Sequence, residues 1–171
     1  MSAIFTGLAP VSDDDLVRLS HENPRYRFER DDNGTLRMSP THSAGGAKSA
    51  EALLQLGDYM RSVGGKVYDS STGFKMPRGG VRSPDASWLS AAHLAALIPE
   101  DRTGFWNVVP DVVIEVASES DEPGEAEAKI DMFCEHGSTY GAAVTPHTRK
   151  VYERGSPPPG LQLNFDAIID A

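Results

Sequence analysis

One carboxylate in this chain, that of Glu115, lies inside an otherwise apolar segment. It follows Val112, Val113 and Ile114 and precedes Val116. A nearly continuous run of β-branched residues predicts a strand that is buried on both faces. Burying a carboxylate is costly unless a metal ion, a cation or several hydrogen-bond donors meet it. Glu115 is therefore the first candidate for a functional residue.

Two further charged residues interrupt their local patterns. Asp85 follows Pro84 in a segment that alternates like a strand, where the simpler interpretation is an aspartate that caps a turn. Lys129 lies at the border of the apolar face when residues 123–136 are placed on a helix. Its simpler interpretations are a lysine that snorkels at the rim or an i,i+4 partner of Glu125.

Two carboxylates and a lysine suit phosphoester hydrolysis. Mg²⁺ usually takes one or two carboxylates, and water and phosphate oxygens complete its shell. Such a metal activates water and neutralises charge that develops on phosphate, while a lysine orients the water or stabilises the transition state. Asp111 shares a strand face with Glu115, but four residues of strand separate them by about 13 Å, too far for one metal. We expect Asp111 to mark the start of the strand.

Glu29 and His42 are weaker candidates. Glu29 alternates with Tyr26 and Phe28, so a solvated strand face explains it more simply. His42 precedes a long helical segment, where a histidine is often exposed or caps the helix.

The elements that must position these residues follow from periodicity and turn signals. Ser12 and the three acids after it predict a short helix through Leu19, and the Asn33-Gly34 turn predicts a hairpin. Helices are predicted over residues 43–63, 90–97 and 123–136, strands over 66–70, 73–76, 81–89 and 110–118, and a second hairpin over 140–144 and 150–153. Within 81–89, Pro84 is expected at an edge, an end or a bulge of the strand. Leu161, Leu163 and Phe165 alternate again. This order predicts an α/β (α+β) fold, with a sheet flanked by helices.

Composition sets limits on partners and location. The 171 residues suit one domain over 1–171, and no apolar run is long enough to span a membrane. The single cysteine, Cys134, and the absence of a secretory signal fit a reducing, cytoplasmic location.

The net charge of −9 weighs against a dominant nucleic-acid-binding surface without excluding one. A metal site rich in carboxylates adds negative charge by itself. A local basic patch also lies near the N-terminus, made of Arg25, Arg27, Arg30, Arg37 and Lys48.

Several short blocks occur together in a fixed order. They are Tyr26-Arg27-Phe28-Glu29 with Asn33-Gly34, Met38-Ser39-Pro40 with His42, Ser83-Pro84-Asp85, and Pro110-Asp111-Val112-Val113-Ile114-Glu115-Val116 with Ser118 and Ser120. With Lys129 and the second hairpin, the chain resembles the Uma-two family of restriction-endonuclease-like proteins, once a domain of unknown function. The resemblance covers roughly residues 13–169. It implies a PD-(D/E)XK nuclease core, in which helices flank a central mixed β-sheet.

The resemblance also implies a role for each matching residue. Asp85 and Glu115 would hold Mg²⁺, for which Mn²⁺ could substitute, and both would be catalytic. The superfamily lysine usually lies two residues after the second acid, where this chain has Ala117, so Lys129 would be the migrated catalytic lysine. Glu29 would be an outer metal or water ligand, and His42 an accessory residue at the helix entrance.

The chain departs from the family pattern in two places. Glu119 lies where the family usually has a proline between two serines, and Ala143-Val144-Thr145-Pro146 replaces a segment that often contains a tryptophan and Asp-Pro. Both departures lie outside the implied metal site and bear on substrate or subunit contacts.

The implied function is a Mg²⁺-dependent endonuclease that hydrolyses nucleic acid, with DNA as the expected substrate and a homodimer as the expected assembly. Two alternatives stay open. One is a non-catalytic binding or assembly module with the nuclease fold, and the other is a metal hydrolase of a small phosphoester. A basic groove beside Asp85 and Glu115 would favour the nuclease, and a neutral or acidic one would favour the module.

Overall fold

The structure is a computed structural model that describes residues 3–5, 11–40, 45–102, 104–119 and 121–171. In chain order the elements are β1 (Ala3–Phe5), α1 (Asp13–Glu22), β2 (Tyr26–Arg30), β3 (Leu36–Pro40), α2 (Gly46–Val63), β4 (Lys66–Asp69), β5 (Phe74–Lys75), β6 (Val81–Arg82), β7 (Ala86–Leu89), α3 (Ala91–Ala96), β8 (Val112–Val116), α4 (Glu125–His136), β9 (Tyr140–Thr145), β10 (Lys150–Gly155) and α5 (Phe165–Asp170). Among these helices, none is long and apolar enough to cross a bilayer.

The strands form two sheets. The first sheet has the order β1-β3-β2-β6-β5 and is antiparallel throughout. Its centre is the predicted N-terminal hairpin, which is confirmed by the pairing of β2 with β3. Gly34 makes the turn with a φ of +85°, a conformation that glycine adopts without strain.

The second sheet is mixed. Its order is β10-β9-β8-β7-β4, in which β8 and β9 run parallel and the other neighbours run antiparallel. The predicted hairpin of β9 and β10 is confirmed. Because β8 and β9 are parallel, α4 connects them as a crossover helix that covers one face of the sheet.

The central strand β8 is buried on both faces, as its composition predicts. Val112 and Ile114 pack in the core formed with α2 and α5. Val113 packs on the other face in the core formed with Ile130 and Phe133 of α4. Side chains alternate along a strand, so Glu115 shares the face of Val113 and points toward α4.

The prediction of one strand over residues 81–89 is wrong. β6 belongs to the first sheet and β7 to the second, and Ser83, Pro84 and Asp85 carry the chain between them. Pro84 has no N–H to donate to a ladder, which favours a break in pairing here. This segment, residues 83–85, is called the crossover segment below.

One other expectation needs correction, and another falls on residues that the structure does not describe. The alternation at Leu161, Leu163 and Phe165 does not form a strand, because Asn164 caps α5 by accepting a hydrogen bond from the Ala167 N–H. The long helix is described from Gly46 onward, so its predicted start at residue 43 and the position of His42 lie outside the described residues.

Candidate active site

The candidate site lies where the crossover segment meets β2, β8 and α4. The first sheet contributes Glu29 from β2, and the second contributes Glu115 from β8. Asp85 belongs to the crossover segment itself, and Lys129 reaches in from α4. The site is therefore built from both sheets and from the helix that covers the mixed sheet.

Lys129 points inward and has only 10% of its side chain exposed. Its Nζ lies 2.9 Å from Glu115 Oε1 and 3.0 Å from Glu29 Oε1, and it donates a 2.9 Å hydrogen bond to the Ser83 carbonyl. It neither snorkels nor pairs with Glu125, which instead contacts Arg37 at 3.0 Å. The position of Lys129 beside the apolar face of α4 therefore directs its side chain toward Glu29 and Glu115.

Glu115 is buried, yet one of its oxygens is poorly satisfied. Oε1 is close to the Lys129 ammonium, but it accepts no well-aligned hydrogen bond. Burial raises the pKa of Glu115 to about 8, helped by the charges of Asp85 and Glu29 and opposed by those of Lys129 and Arg27. Near neutral pH the metal-free carboxyl is therefore largely protonated.

Glu29 is also buried, so the solvated strand face is the wrong interpretation. Burial would raise the pKa of Glu29, but Lys129 and Arg82, with the Ser83 N–H and Arg27, lower it to about 2. The Ser83 N–H donates to Glu29 Oε1 at 2.6 Å. These four groups favour the ionised form of Glu29, whereas burial and the neighbouring acids favour the protonated form of Glu115.

Asp85 is held against the strand that carries Glu115. Its Oδ2 accepts a 2.9 Å hydrogen bond from the Val116 N–H, and its Oδ1 lies 3.2 Å from Nη1 of Arg27. The contact with the Val116 amide places the Asp85 carboxylate beside Glu115.

Asp111 lies at the other end of β8, away from this group. Its carboxylate accepts a 2.7 Å hydrogen bond from the Ser90 N–H and lies 3.1 Å from Nδ1 of His93. Asp111 therefore stabilises the start of α3, and its carboxylate is not one of the acids that surround Lys129.

Further ion pairs extend from the site toward the surface. Arg82 contacts both Glu29 and Asp31, and Arg37 joins Asp31 to Glu125 at the start of α4. These pairs tie the hairpin of the first sheet to α4. Positive and negative groups alternate along the whole series, so the surroundings of the acids are not uniformly negative.

The comparisons with known proteins agree with this architecture. The family model Uma2, described as putative restriction endonuclease, matches residues 13–159. The chain belongs to the Uma2 family. The crystal structure of a putative nuclease belonging to DUF820 from Anabaena variabilis ATCC 29413 superposes with a TM-score of 0.69 and 15% identity, over 94% of this chain and 98% of that chain. At that identity the likeness shows a shared fold alone. The search of curated proteins gave no match.

The donors in this Uma2 site are suited to a hard cation. Within the described ranges, no three His, Cys, Asp or Glu side chains are arranged to hold a metal ion. Asp85 and Glu115 nevertheless supply two neighbouring carboxylates, and Oε1 of Glu115 is a buried acceptor whose close partner is the Lys129 ammonium. Such an oxygen set fits Mg²⁺ or Mn²⁺, for which water and phosphate oxygens complete the shell.

Sequence reasoning did not single out the contributions of Arg27, Arg82 and Ser83. A signal existed for Arg27, because residues two apart on a strand share a face and Arg27 therefore accompanies Glu29. No comparable signal existed for Ser83, which acts through its backbone N–H and carbonyl.

Proposed function

We propose that this Uma2 protein is a Mg²⁺-dependent endonuclease that hydrolyses phosphodiester bonds in nucleic acid, with DNA as the expected substrate. The main support is the Glu115 carboxylate, which is buried beside Asp85 and Lys129 and whose pKa burial raises to about 8. A perturbed acid with specific charged neighbours is typical of a functional site.

The residues have distinct roles in this proposal. Asp85 and Glu115 would hold the metal, which when bound would polarise the phosphate and activate a water. Lys129 presents an ammonium next to Glu115, where it can orient a water or stabilise negative charge on the phosphate. Glu29 and the Ser83 carbonyl fix the position of Lys129. A role for Glu29 as an outer metal or water ligand stays a prediction, as does the accessory role of His42.

One observation favours a second candidate, a non-catalytic binding or assembly module with the nuclease fold. Asp85 is already paired with Arg27, and Glu29 is already paired with Lys129 and Arg82. In that interpretation the charged groups serve to join the two sheets and α4, and no metal enters.

Calorimetric titration with Mg²⁺ separates the two candidates. The nuclease predicts a binding heat for the wild type that Asp85→Asn largely removes, together with Mg²⁺-dependent cleavage of plasmid DNA. The matched control is Asp111→Asn, the same substitution at the far end of β8, which should bind Mg²⁺ like the wild type. A wild type that binds neither Mg²⁺ nor Mn²⁺ would favour the assembly module.

A homodimer and a cytoplasmic location complete the proposal. The homodimer rests on the prevalence of two-fold assemblies among soluble proteins. Sedimentation velocity over a range of protein concentrations tests it directly.

A further inference from the structure

Of the three cationic side chains beside the acids of the site, that of Arg27 is the most exposed and has the fewest polar contacts. Lys129 contacts Glu29, Glu115 and the Ser83 carbonyl, and Arg82 contacts two carboxylates. Within the part of the chain that the structure describes, the Arg27 side chain makes one hydrogen bond, to Asp85 at 3.2 Å. Its side chain is 29% exposed, whereas those of Lys129 and Arg82 are each 10% exposed. Arg27 therefore lies at the open side of the site.

Arg27 lies close enough to Glu29, Asp85 and Glu115 to interact electrostatically with all three. Burial lowers its pKa, but the charges of Glu29, Asp85 and Glu115 together raise it above the ordinary value. The guanidinium is thus within electrostatic reach of each carboxylate that the proposed function employs. Among these acids, Asp85 is the one that contacts the guanidinium directly in the described part of the chain.

Arg27 and a metal ion would compete for Asp85. One oxygen of Asp85 is occupied by the Val116 N–H and the other by the guanidinium. A divalent cation bound to the same carboxylate would repel the guanidinium, because like charges a few ångströms apart strongly disfavour each other. The released side chain would remain at the open side, where a substrate phosphate would arrive.

The guanidinium is well suited to that phosphate. Its rigid fork of N–H donors matches two phosphate oxygens, and charge-assisted pairs of this kind are stronger than neutral hydrogen bonds. A protein with a net charge of −9 also needs local cations to hold a polyanion.

We infer that Arg27 is a substrate-phosphate ligand that is held on Asp85 in the metal-free protein and exchanges to the phosphate when Asp85 engages a metal. The inference rests on the proposed function and adds a residue that contacts the substrate. It predicts that the contribution of Arg27 to nucleic-acid binding depends on the presence of a divalent cation.

The test compares wild type and Arg27→Gln in binding a short fluorescein-labelled DNA duplex, measured by anisotropy across a range of KCl concentrations. Each titration is made in EDTA and in Ca²⁺, which takes the same kind of oxygen ligands as Mg²⁺. The matched control is Arg61→Gln, which removes the same charge from an exposed position on α2 that is paired with Asp58.

In Ca²⁺, Arg27→Gln should lower the affinity about tenfold, as expected for a lost hydrogen bond to a charged group. The slope of log affinity against log salt should become shallower by about one, as expected for one lost phosphate contact. In EDTA the variant should bind like the wild type, because Arg27 stays on Asp85. Arg61→Gln should leave the slope unchanged in both conditions.

An unchanged slope and affinity of Arg27→Gln in Ca²⁺ would overturn the inference, and so would an equal loss in EDTA and Ca²⁺. If Arg27→Gln does not fold, as judged by circular dichroism, Arg27→Lys takes its place. Arg27→Lys keeps the positive charge but loses the planar set of N–H donors of the guanidinium. It should therefore bind the duplex more weakly in Ca²⁺, with the same slope of log affinity against log salt as the wild type. An affinity equal to that of the wild type would overturn the inference. A wild type that binds no duplex in either condition would instead refute the proposed function, and the inference with it.

Discussion

Replacing Glu115 with glutamine should stabilise the metal-free protein, although the substitution removes a candidate metal ligand. The folded-state pKa is about 8, whereas the ordinary value is 4.5. At pH 7 the unfolded chain is ionised at this position while the folded chain is largely protonated. The interval between pH 4.5 and pH 7 corresponds to about 3 kcal/mol of unfolding free energy, which glutamine would recover because it does not ionise.

The pH dependence gives the prediction its sign. The pKa of Glu115 is raised in the folded state, so its contribution to stability is fully present below about pH 4.5 and is lost as the pH rises through about 8. The advantage of Glu115→Gln should therefore be small at pH 4.5, about 3 kcal/mol at pH 7 and larger at pH 8.5.

Urea unfolding in EDTA, followed by the fluorescence of Trp88 and Trp106, measures this difference at each pH. The control is Glu22→Gln, which removes the same charge at the exposed end of α1 and should change the unfolding free energy by less than about 0.5 kcal/mol. A Glu115→Gln variant that is less stable than the wild type, or whose advantage does not grow with pH, would refute the reasoning about this buried acid.

The remaining predictions concern the same group of residues and its surroundings. Mg²⁺ binding near pH 7 should release close to one proton, because Glu115 must ionise to act as a ligand; calorimetry in two buffers of different ionisation enthalpy counts the protons, and a count of zero would contradict this. Glu29→Gln should destabilise the fold by about 3 kcal/mol, since it leaves the buried Lys129 without its ionised partner while Arg82 keeps its contact with Asp31. Urea unfolding at pH 7 measures the loss, and wild-type stability would speak against the pairing of Lys129 with Glu29. Asp111→Ala should lower the free energy of unfolding by about 1–2 kcal/mol, because Asp111 no longer accepts the hydrogen bond from the Ser90 N–H. The variant should still bind Mg²⁺. A loss of metal binding would contradict the conclusion that Asp111 lies apart from the candidate metal site.

The sequence predicts the site residues whose positions follow from a single strand or helix. Glu115 is recognisable because β-branched neighbours surround it in a single strand, and Lys129 because helical periodicity sets it beside the apolar face of α4. The structure places these two side chains 2.9 Å apart. Their roles in metal binding and catalysis stay predictions.

The parts that the sequence does not predict depend on how the two sheets meet. Alternation assigns Glu29 to a solvated face, because a pattern of period two does not reveal that α4 covers that face. The segment 81–89 is predicted as one strand with Pro84 at an edge, an end or a bulge, because a proline indicates an interruption of pairing without showing that the chain changes sheets there. Arg27 acquires its contact with Asp85 from that same change of sheet.

Ser83 makes part of the candidate site undetectable by ordinary side-chain substitution. Its N–H donates to Glu29 and its carbonyl accepts from Lys129, so both contacts come from the backbone. An alanine scan would therefore pass over this position, since alanine keeps both groups. Proline at the same position would remove the donor and deprive Glu29 of its shortest hydrogen bond. Because Ser83 is buried, a mutational map of this protein should record residue 83 as tolerant of small side chains such as alanine and intolerant of proline.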